Sequence, residues 1–264
     1  MSTILDTIVA AKRKEVEKYK PLSSVERFAK DGFFWNFTNR SLKQSLLAEN
    51  STGIIAEFKR KSPSKGYFTS ADLEVEPVVA PYNHNGAAAI SVLTDKEFFG
   101  GDLDDLIQTK VITDIPVLRK DFMIDPWQIA EAKAFGADVI LLIAACLTPA
   151  EVKSMASYAK SMGLEVLLEL HDEEELEHIC DETDIIGINN RDLKTFTVDI
   201  DRSLRMAEKI PADKIKVAES GISTVENIKL FRQNGFKGFL IGENFMKEKN
   251  PGEAFARFVK ELNE

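Results

Sequence analysis

Histidine and cysteine, the side chains that build most metal centres and disulfide frameworks, are scarce in this chain of 264 residues. The three histidines, His84, His171 and His178, do not have the spacing of a ligand set on one element, and no cysteine cluster supplements them. We therefore predict no metal site. The two cysteines, Cys146 in an apolar run and Cys180 in a helical pattern, predict a reduced, intracellular protein.

Long apolar stretches are also missing. The block VILLIAACL, at residues 139–147, is far shorter than the ~20 residues needed to cross a bilayer. The N-terminal segment MSTILDTIVAAKRKEVEKYK alternates apolar and charged residues at helical spacing, which argues against a secretory signal peptide. Asp6, Glu15 and Glu17 argue against organelle import. These features predict a cytoplasmic protein with no membrane association.

Positive charge is in deficit, since the formal net charge is -9. The one basic cluster, KRKSPSK at residues 59–65, is not extended by a second, whereas a nucleic-acid footprint usually forms a broader positive surface. A solvated loop is one interpretation of this cluster, and a site for a small anionic ligand is the favoured one. No G-x-S-x-G turn, Walker loop or dinucleotide fingerprint occurs at a strand-helix junction, so no bound cofactor is predicted.

The composition, 44% hydrophobic and 29% charged, is that of a soluble globular protein. From residue 54 onward, strand and helix signals alternate eight times. The predicted strands are Ile54–Phe58, Ala88–Leu93, Pro116–Arg119, Val139–Ala144, Glu165–Leu170, Ile185–Ile188, Lys216–Ala218 and Gly238–Ile241. Most are too apolar to have an exposed face, which is typical of parallel strands. The α/β pattern predicts a (β/α)8 TIM barrel, with an open doubly wound sheet as the alternative.

Helix starts are marked by capping residues that have Glu or Gln three positions later. They are predicted at Ser23, Asp125, Thr148, Ser223 and Asn250. Within the predicted helix 76–85, Pro81 should cause an interruption or a kink. We predict a single domain over residues 1–264, in which residues 1–50 form an N-terminal helical extension and residues 51–264 form the barrel.

The segment IIAEFKRKSPSKG, residues 54–66, joins a buried strand to a group of ionic side chains. Strand alternation places Glu57 and Lys59 on one face and Phe58 on the other. Other polar residues follow or end later strands: Lys120, Glu169, Asn189, Arg191, Glu219 and Ser220. A single such residue could be a structural ion pair. Because five strands deliver these groups to one rim, a catalytic site is the better interpretation.

Glycines follow the last two predicted strands, where barrel enzymes frequently bind phosphate through backbone N–H groups. Gly221, Gly242 and Glu243 are the candidates, and Ser62 could add a hydroxyl. A carboxylate facing a phosphate would repel it, so we expect Glu243 to use only its backbone N–H and to turn its side chain away. Ordinary loop glycines are the alternative.

The segment AEFKRKSPS resembles the first strand and loop of the indole-3-glycerol phosphate synthase family, barrel enzymes of tryptophan biosynthesis. The resemblance continues in order through SVLTDKEFFGG (residues 91–101), LRKDF (118–122), LLEL (167–170), GINNRDL (187–193), AESGI (218–222) and FLIGENFM (239–246). It implies a carbon-carbon lyase that converts 1-(2-carboxyphenylamino)-1-deoxyribulose 5-phosphate to indole-3-glycerol phosphate, releasing carbon dioxide and water. It also implies that part of the N-terminal extension covers the active-site mouth.

The resemblance implies roles for the strand-end residues. Lys120 would be the general acid of ring closure and Glu169 the general base, while Lys59 would bind the substrate carboxylate, protonate a leaving group, or do both. Glu57 would orient Lys59, and Arg191 would bind the carboxylate. The ribulose hydroxyls would be contacted by Asn189, Glu219 and Ser220. By the same resemblance, the pocket for the aromatic ring would be lined by Phe99 and Phe122, together with Leu142 or Leu240 from the barrel interior.

His171 lies two residues beyond Glu169, so a supporting role is open, but we expect a surface position. The only partner that we expect is the small phosphorylated substrate. We expect a monomer, and association with other pathway enzymes is left open. The alternative functions are a related phosphosugar isomerase, a Schiff-base aldolase using Lys120 or Lys59, and a non-catalytic phosphate-ligand sensor.

Overall fold

Eight parallel strands close into a barrel in the computed structural model, which describes residues 3–192 and 197–264. The strands are β1 Ile54–Phe58, β2 Ala89–Leu93, β3 Val117–Lys120, β4 Val139–Ile143, β5 Glu165–Leu170, β6 Ile185–Asn189, β7 Ile215–Glu219 and β8 Phe236–Ile241. Each pairs with the next, and Ile55 of β1 lies opposite Leu240 of β8 to close the ring. The predicted TIM barrel is confirmed. Leu193, which ends the GINNRDL segment, lies outside the described residues.

The strands are buried on both faces, as their apolar sequences predicted. Alternate residues such as Ile55, Leu141 and Leu167 fill the barrel interior. Their neighbours, such as Ile140 and Leu168, pack against the surrounding helices. This two-sided burial explains why the strands are almost continuously apolar until their carboxyl ends, where charged residues begin.

The helices surround the barrel. Those whose capping residues were predicted have their caps at the predicted residue or one residue later. They are α1 Ile4–Tyr19, α2 Val25–Asp31, α3 Leu42–Leu47, α4 Glu76–His84, α5 Lys96–Phe99, α6 Leu103–Ile112, α7 Pro126–Ala134, α8 Pro149–Ser161, α9 Ile200–Lys209, α10 Val225–Gln233, α11 Glu243–Met246 and α12 Pro251–Leu262. No helix of the described part of the chain is long and apolar enough to span a membrane.

Two predicted helix starts were wrong by one residue. Ser24, not Ser23, caps α2 by accepting from Arg27 N, and Thr224, not Ser223, caps α10. At both helix starts two residues with hydroxyl side chains are adjacent, so either could be the cap. In the structure the second residue of each pair caps the helix. The caps at Asp125, Thr148 and Asn250 are confirmed.

Two connections differ from the predicted pattern. Between β5 and β6 the chain forms a 3-10 helix, Glu173–His178, rather than an α-helix. Pro81 does not interrupt α4, which continues to His84. Any other residue at position 81 would donate its N–H to the carbonyl of Pro77, in the first turn, so only one bond near the helix start is lost.

The N-terminal extension covers both ends of the barrel. Helix α3 closes the amino ends of the strands, where Leu42 and Leu46 join the interior cluster. Ser45 Oγ donates to Ala88 O, just before β2, and thereby fixes α3 to that end. Helix α1 lies at the opposite end, over the mouth of the barrel.

Candidate active site

A cavity of about 370 Å3 opens at the carboxyl ends of the strands. Its size is within the ~300–1,000 Å3 typical of small-molecule pockets. Every residue proposed from the sequence lines it except Leu142. They are Glu57, Lys59, Ser62, Phe99, Lys120, Phe122, Glu169, Asn189, Arg191, Glu219, Ser220, Gly221, Leu240, Gly242 and Glu243.

The placement of Leu142 in the pocket was wrong. Its side chain packs between the barrel and α8, in one cluster with Val152 and Met155. The neighbouring residues Leu141 and Ile143 line the cavity instead. Because side chains alternate along β4, a register error of one residue exchanges the inner and outer faces.

Ile4, Leu5 and Ile8 of α1 form an apolar part of the cavity wall. This helix is held by Lys12, whose side chain is only 1% exposed and lies 3.1 Å from Asp95 and 2.9 Å from Asp121. Burial alone would lower the pKa of Lys12, but the charges of Asp121 and Asp95 outweigh it and raise that pKa. Since Asp121 directly follows Lys120, the ion pair ties α1 to the end of β3. No role was predicted for Lys12 from the sequence.

Lys120 and Glu169 form a close ion pair at the centre of the site. Lys120 Nζ lies 2.8 Å from Glu169 Oε2 and 3.9 Å from Glu219 Oε2. Asn189 Nδ2 donates to the other oxygen of Glu169 at 3.2 Å. Strands of one barrel thus bring one ammonium and two carboxylates within reach of a common ligand.

Electrostatic interactions within this group shift the pKa values of the two carboxyl groups in opposite directions. Burial alone would raise the pKa of Glu169, but Lys120 and His171 hold it well below its usual range. Burial and the charge of Glu169 raise the pKa of Glu219 well above its usual range. Burial would lower the pKa of Lys120, yet Glu169, Glu219 and Glu57 raise it. The site therefore holds an ionised carboxylate, a charged ammonium and a carboxyl group that favours its protonated form.

Glu57 and Lys59 share the face of β1 that strand alternation predicted. Lys59 Nζ lies 2.6 Å from Glu57 Oε1, and Ser91 Oγ donates to the other oxygen at 3.4 Å. A Cβ at Gly242 would lie 2.6 Å from Glu57 Oε1, so a side chain there would displace the carboxylate. Gly187 makes similar room for Glu219, since a Cβ would lie 2.1 Å from its Oε1. No role was predicted for Gly187, although it stands in the GINNRDL segment.

The loops after β1, β7 and β8 meet on one side of the cavity. Ser220 has φ 66, a left-handed conformation that is uncommon outside glycine, and Gly221 follows with φ 70. Asn190 Nδ2 donates to Ser220 O at 2.7 Å and holds this turn. Ser62 Oγ is buried and hydrogen-bonded to no other described group.

Arg191 and Glu243 lie beside these loops. Glu243 Oε1 is 2.5 Å from Lys65 Nζ, and Arg191 Nη2 is 3.8 Å from Glu243 Oε2. The carboxylate of Glu243 is therefore neutralised by two cations. Arg191 Nε is buried and has no hydrogen-bond partner among the described residues. It is a donor that a bound anion could satisfy.

Phe99 and Phe122 lie together on another wall, with ring centroids 5.9 Å apart. Leu93, Leu141 and Leu240 add aliphatic surface to the cavity lining. An aromatic ring would find apolar contact here, separated from the charged groups on the opposite loops.

His171, expected at the surface, is 3% exposed and lines the cavity. Its Nε2 lies 3.0 Å from Glu169 Oε1, although the ring N–H is not aligned with that oxygen, so the contact is ionic rather than a well-formed hydrogen bond. Alternation from Glu169 was the only sequence signal for this placement. The described residues contain no group of three or more His, Cys, Asp or Glu side chains arranged to hold a metal ion.

Comparison with known proteins identifies the family. A family model described as indole-3-glycerol phosphate synthase matches residues 5–258. An indole-3-glycerol phosphate synthase of Bacteroides thetaiotaomicron is 47% identical over 262 residues, covering 99% of this chain and 100% of the relative. One from Polaromonas sp. strain JS666 is 45% identical and covers 97% and 98%.

Solved structures support the fold alone. A chain of the tryptophan synthase a2b2 complex from Pyrococcus furiosus aligns with TM-score 0.58 at 16% identity, covering 80% of this chain and 97% of that one. Thiamine phosphate pyrophosphorylase from the same organism aligns with TM-score 0.60 at 16% identity, covering 84% and 98%. The family model and the relatives each span nearly the full chain, and the chain therefore belongs to the indole-3-glycerol phosphate synthase family.

Proposed function

We propose that this cavity closes the indole ring of 1-(2-carboxyphenylamino)-1-deoxyribulose 5-phosphate and releases indole-3-glycerol phosphate, carbon dioxide and water. Membership of the family makes the chain a carboxy-lyase of tryptophan biosynthesis. The observation that carries the assignment of roles is the ion pair of Lys120 and Glu169 at 2.8 Å. It places a proton donor and a proton acceptor side by side in one enclosed pocket.

The substrate's three recognition groups match three parts of the wall. Its phosphate would lie at Gly221, Gly242 and the backbone N–H of Glu243, with the unpaired hydroxyl of Ser62 beside it. Its carboxylate would meet Lys59 and Arg191. Its aromatic ring would pack against Phe99, Phe122 and Leu240, under α1.

Ring closure needs a proton at the carbonyl oxygen. The ring carbon that bears the carboxylate attacks the C2′ carbonyl, whose oxygen gains negative charge as the carbon-carbon bond forms. Lys120, whose positive charge is favoured chiefly by Glu169 despite burial, donates its proton to that oxygen. Loss of carbon dioxide returns the bonding electrons to the ring and restores its aromaticity.

Dehydration then completes the pyrrole ring. The new hydroxyl must leave as water, and a proton must be removed from the closed ring. Glu169 is ionised and can take that proton, while Lys59, which still carries its own proton after Lys120 has given up one, can protonate the leaving oxygen. Glu57 orients Lys59, whereas Asn189, Glu219 and Ser220 contact the ribulose hydroxyls. No bound cofactor is required by these steps.

The Schiff-base alternative fits the electrostatics less well. An aldolase lysine must be neutral to attack a carbonyl, and lysines in that role have lowered pKa values. Lys120 has its pKa raised by the surrounding carboxylates. Borohydride should therefore trap no substrate adduct. A non-catalytic sensor would bind the substrate and form no indole product.

Incubation with the carboxyphenylamino substrate tests the function directly. We expect an indole absorbance to grow in step with release of carbon dioxide. The same compound without its phosphate should bind and react far less well. Substrate binding without indole formation would contradict the catalytic proposal, and equal reaction of the dephosphorylated compound would contradict the phosphate site.

A pair of variants separates the two cations of the proposed carboxylate site. Arg191→Ala should mainly raise KM, because it removes a binding contact made before and during the reaction. Lys59→Ala should lower kcat as well if the lysine also transfers a proton. Arg205→Ala, an exposed change on α9, is the control. Small losses in thermal stability alone, with normal kinetics, would make both residues structural.

We propose further that the chain works as a single domain and a monomer in the cytoplasm. The phosphorylated substrate would be its small-molecule partner, with neither nucleic acid nor membrane involved. Channelling to other pathway enzymes stays open.

A further inference from the structure

His171 lies between two carboxylates that approach it from different elements. Glu169, on β5, is 3.0 Å from Nε2 on the cavity side. Glu175, on the 3-10 helix Glu173–His178, is 3.8 Å from Nδ1 on the other side. The imidazole is 3% exposed, so water screens neither contact well.

Glu175 is itself fixed. Its Oε2 accepts from the backbone N–H of His171 at 2.6 Å and from that of Asp172 at 3.4 Å. The bond from Asp172 belongs to the capping box that starts the 3-10 helix. The second carboxylate is therefore part of the turn after β5 and cannot swing away from the ring without breaking the cap.

Among the described residues, further ionisable groups interact with these carboxylates. Lys120 pairs with the far oxygen of Glu169. The thiol of Cys146, after β4, feels the charges of Glu169 and Glu175, but burial comes first in raising its pKa to about 12, so it stays neutral. Burial would lower the pKa of His171, but the two carboxylates raise it to about 9. We therefore expect the ring to carry a positive charge at neutral pH.

The charge of Lys120 changes during the proposed reaction. When Lys120 protonates the carbonyl oxygen it becomes neutral, and Glu169 loses the nearer of its two cations. Without another cation beside it, the buried carboxylate of Glu169 would become a stronger proton acceptor. It could then be protonated before dehydration, the step in which it has to take a proton from the closed ring. His171 is the cation that stays.

We propose that His171 is a positioning residue. It acts as a fixed imidazolium, held by Glu175, and keeps Glu169 deprotonated when Lys120 gives up its proton. This inference rests on the proposed role of Glu169. It predicts that removing the positive charge of His171 changes the pH dependence of the enzyme, and not only its stability.

The first test is an NMR titration of the unaltered protein, which contains only three histidines. The signal missing from His171→Asn identifies His171. We expect its midpoint at about 9, and a lower midpoint, by about one unit or more, in Glu175→Gln, which keeps a hydrogen-bond acceptor but removes the negative charge. A midpoint at or below the usual histidine value of ~6.5 would overturn the inference. This readout does not depend on activity.

The second test is the pH profile of kcat/KM for His171→Asn. An opposite charge at this distance typically lowers a carboxyl pKa by about 1–3 units, so its loss should move the acid limb to higher pH by about one unit or more. Ionisations of the substrate are common to both proteins and cancel in the comparison. His178→Asn is the matched control, since His178 is buried nearby but contacts the backbone oxygens of Glu175 and Leu147.

The outcomes separate this inference from the proposed function. A uniform fall at every pH, or an unmoved acid limb, would overturn the role of His171 while indole formation by the unaltered enzyme still supported the function. If His171→Asn does not fold, the titration of the unaltered protein and of Glu175→Gln decides. A wild-type protein that makes no indole product, yet shows the raised histidine midpoint, would instead count against the function.

Discussion

Lys120→Met is expected to lower turnover by about 100- to 10,000-fold, the range typical of a positioned general acid. Methionine preserves most of the apolar stem that fills the space at the end of β3, but it has no ionisable group that could donate a proton. Lys120 is the ammonium nearest to both Glu169 and Glu219, at 2.8 and 3.9 Å. Its loss should fall on kcat more than on KM, because the proton is delivered in the transition state.

The variant also removes a charge, so proton donation and electrostatics must be separated. Lys120→Arg keeps a cation beside Glu169, but a guanidinium is a far weaker acid than an ammonium. Both variants should be slow if proton transfer is the role of Lys120. Recovery of most activity in Lys120→Arg would show that only the positive charge matters.

Single-turnover kinetics on the folded variants would measure the effect, with circular dichroism and thermal unfolding to confirm the fold. Lys229→Met, a change outside the cavity on α10, is the control. Near-normal single-turnover rates in Lys120→Met would remove this lysine from the chemistry, and with it the proposed mechanism.

The barrel and the polar rim could be predicted because their signals are local. Each strand is a short apolar run, and the first charged residue after it marks the carboxyl end. Glu57, Lys120 and Glu219 could thus be assigned to one rim by sequence alone, since a closed parallel barrel brings all those ends together.

The pocket wall could not be predicted in the same way. In β4, VILLI, every residue is apolar because both faces are buried, so the sequence holds no alternation from which the inner face could be read. Leu142 and Leu141 are equivalent by composition. Only the register against neighbouring strands, where Leu142 lies opposite Leu168, decides which one points inward.

Two of the buried cations that the sequence did not reveal are Lys12 and His171. Lys12 stands among charged residues of an amphipathic helix, and its partners Asp95 and Asp121 are far along the chain. His171 precedes the acidic run DEEELE, which is typical of a solvated turn. Lys12 is buried because carboxylates distant in sequence neutralise it, and such long-range pairing leaves no local pattern. The partners of His171 are near in sequence, but only the folded turn after β5 brings two carboxylates against the ring.

Glu169→Gln is expected to lower turnover by at least about 100-fold while leaving substrate binding much less affected. Glutamine keeps the size of the side chain and an acceptor for Lys120, but it cannot take a proton. Lys120 and His171, despite its burial, hold the pKa of Glu169 well below the usual range, so the carboxylate is ionised and can accept a proton once Lys120 has given up its own. Glu174→Gln, an exposed change just beyond β5, is the control.

The residual activity of Glu169→Gln should show whether the neighbouring Glu219 can act as a base. Burial and the charge of Glu169 raise the pKa of Glu219, so the substitution removes one of these two causes and should lower that pKa. If Glu219 then serves as a weak substitute base, Glu169→Gln with Glu219→Gln should be slower than either single variant. Combining Glu169→Gln with Lys120→Met, by contrast, should cost less than the product of the two single losses, because Lys120 acts in ring closure and Glu169 in the later dehydration, and the slower of two successive steps limits the overall rate. Single-turnover rates across pH would measure both combinations. If the Lys120 and Glu169 losses multiplied fully, the two residues would contribute independently to one and the same step, which would contradict the proposed order of events. Normal turnover in Glu169→Gln would exclude Glu169 as the base.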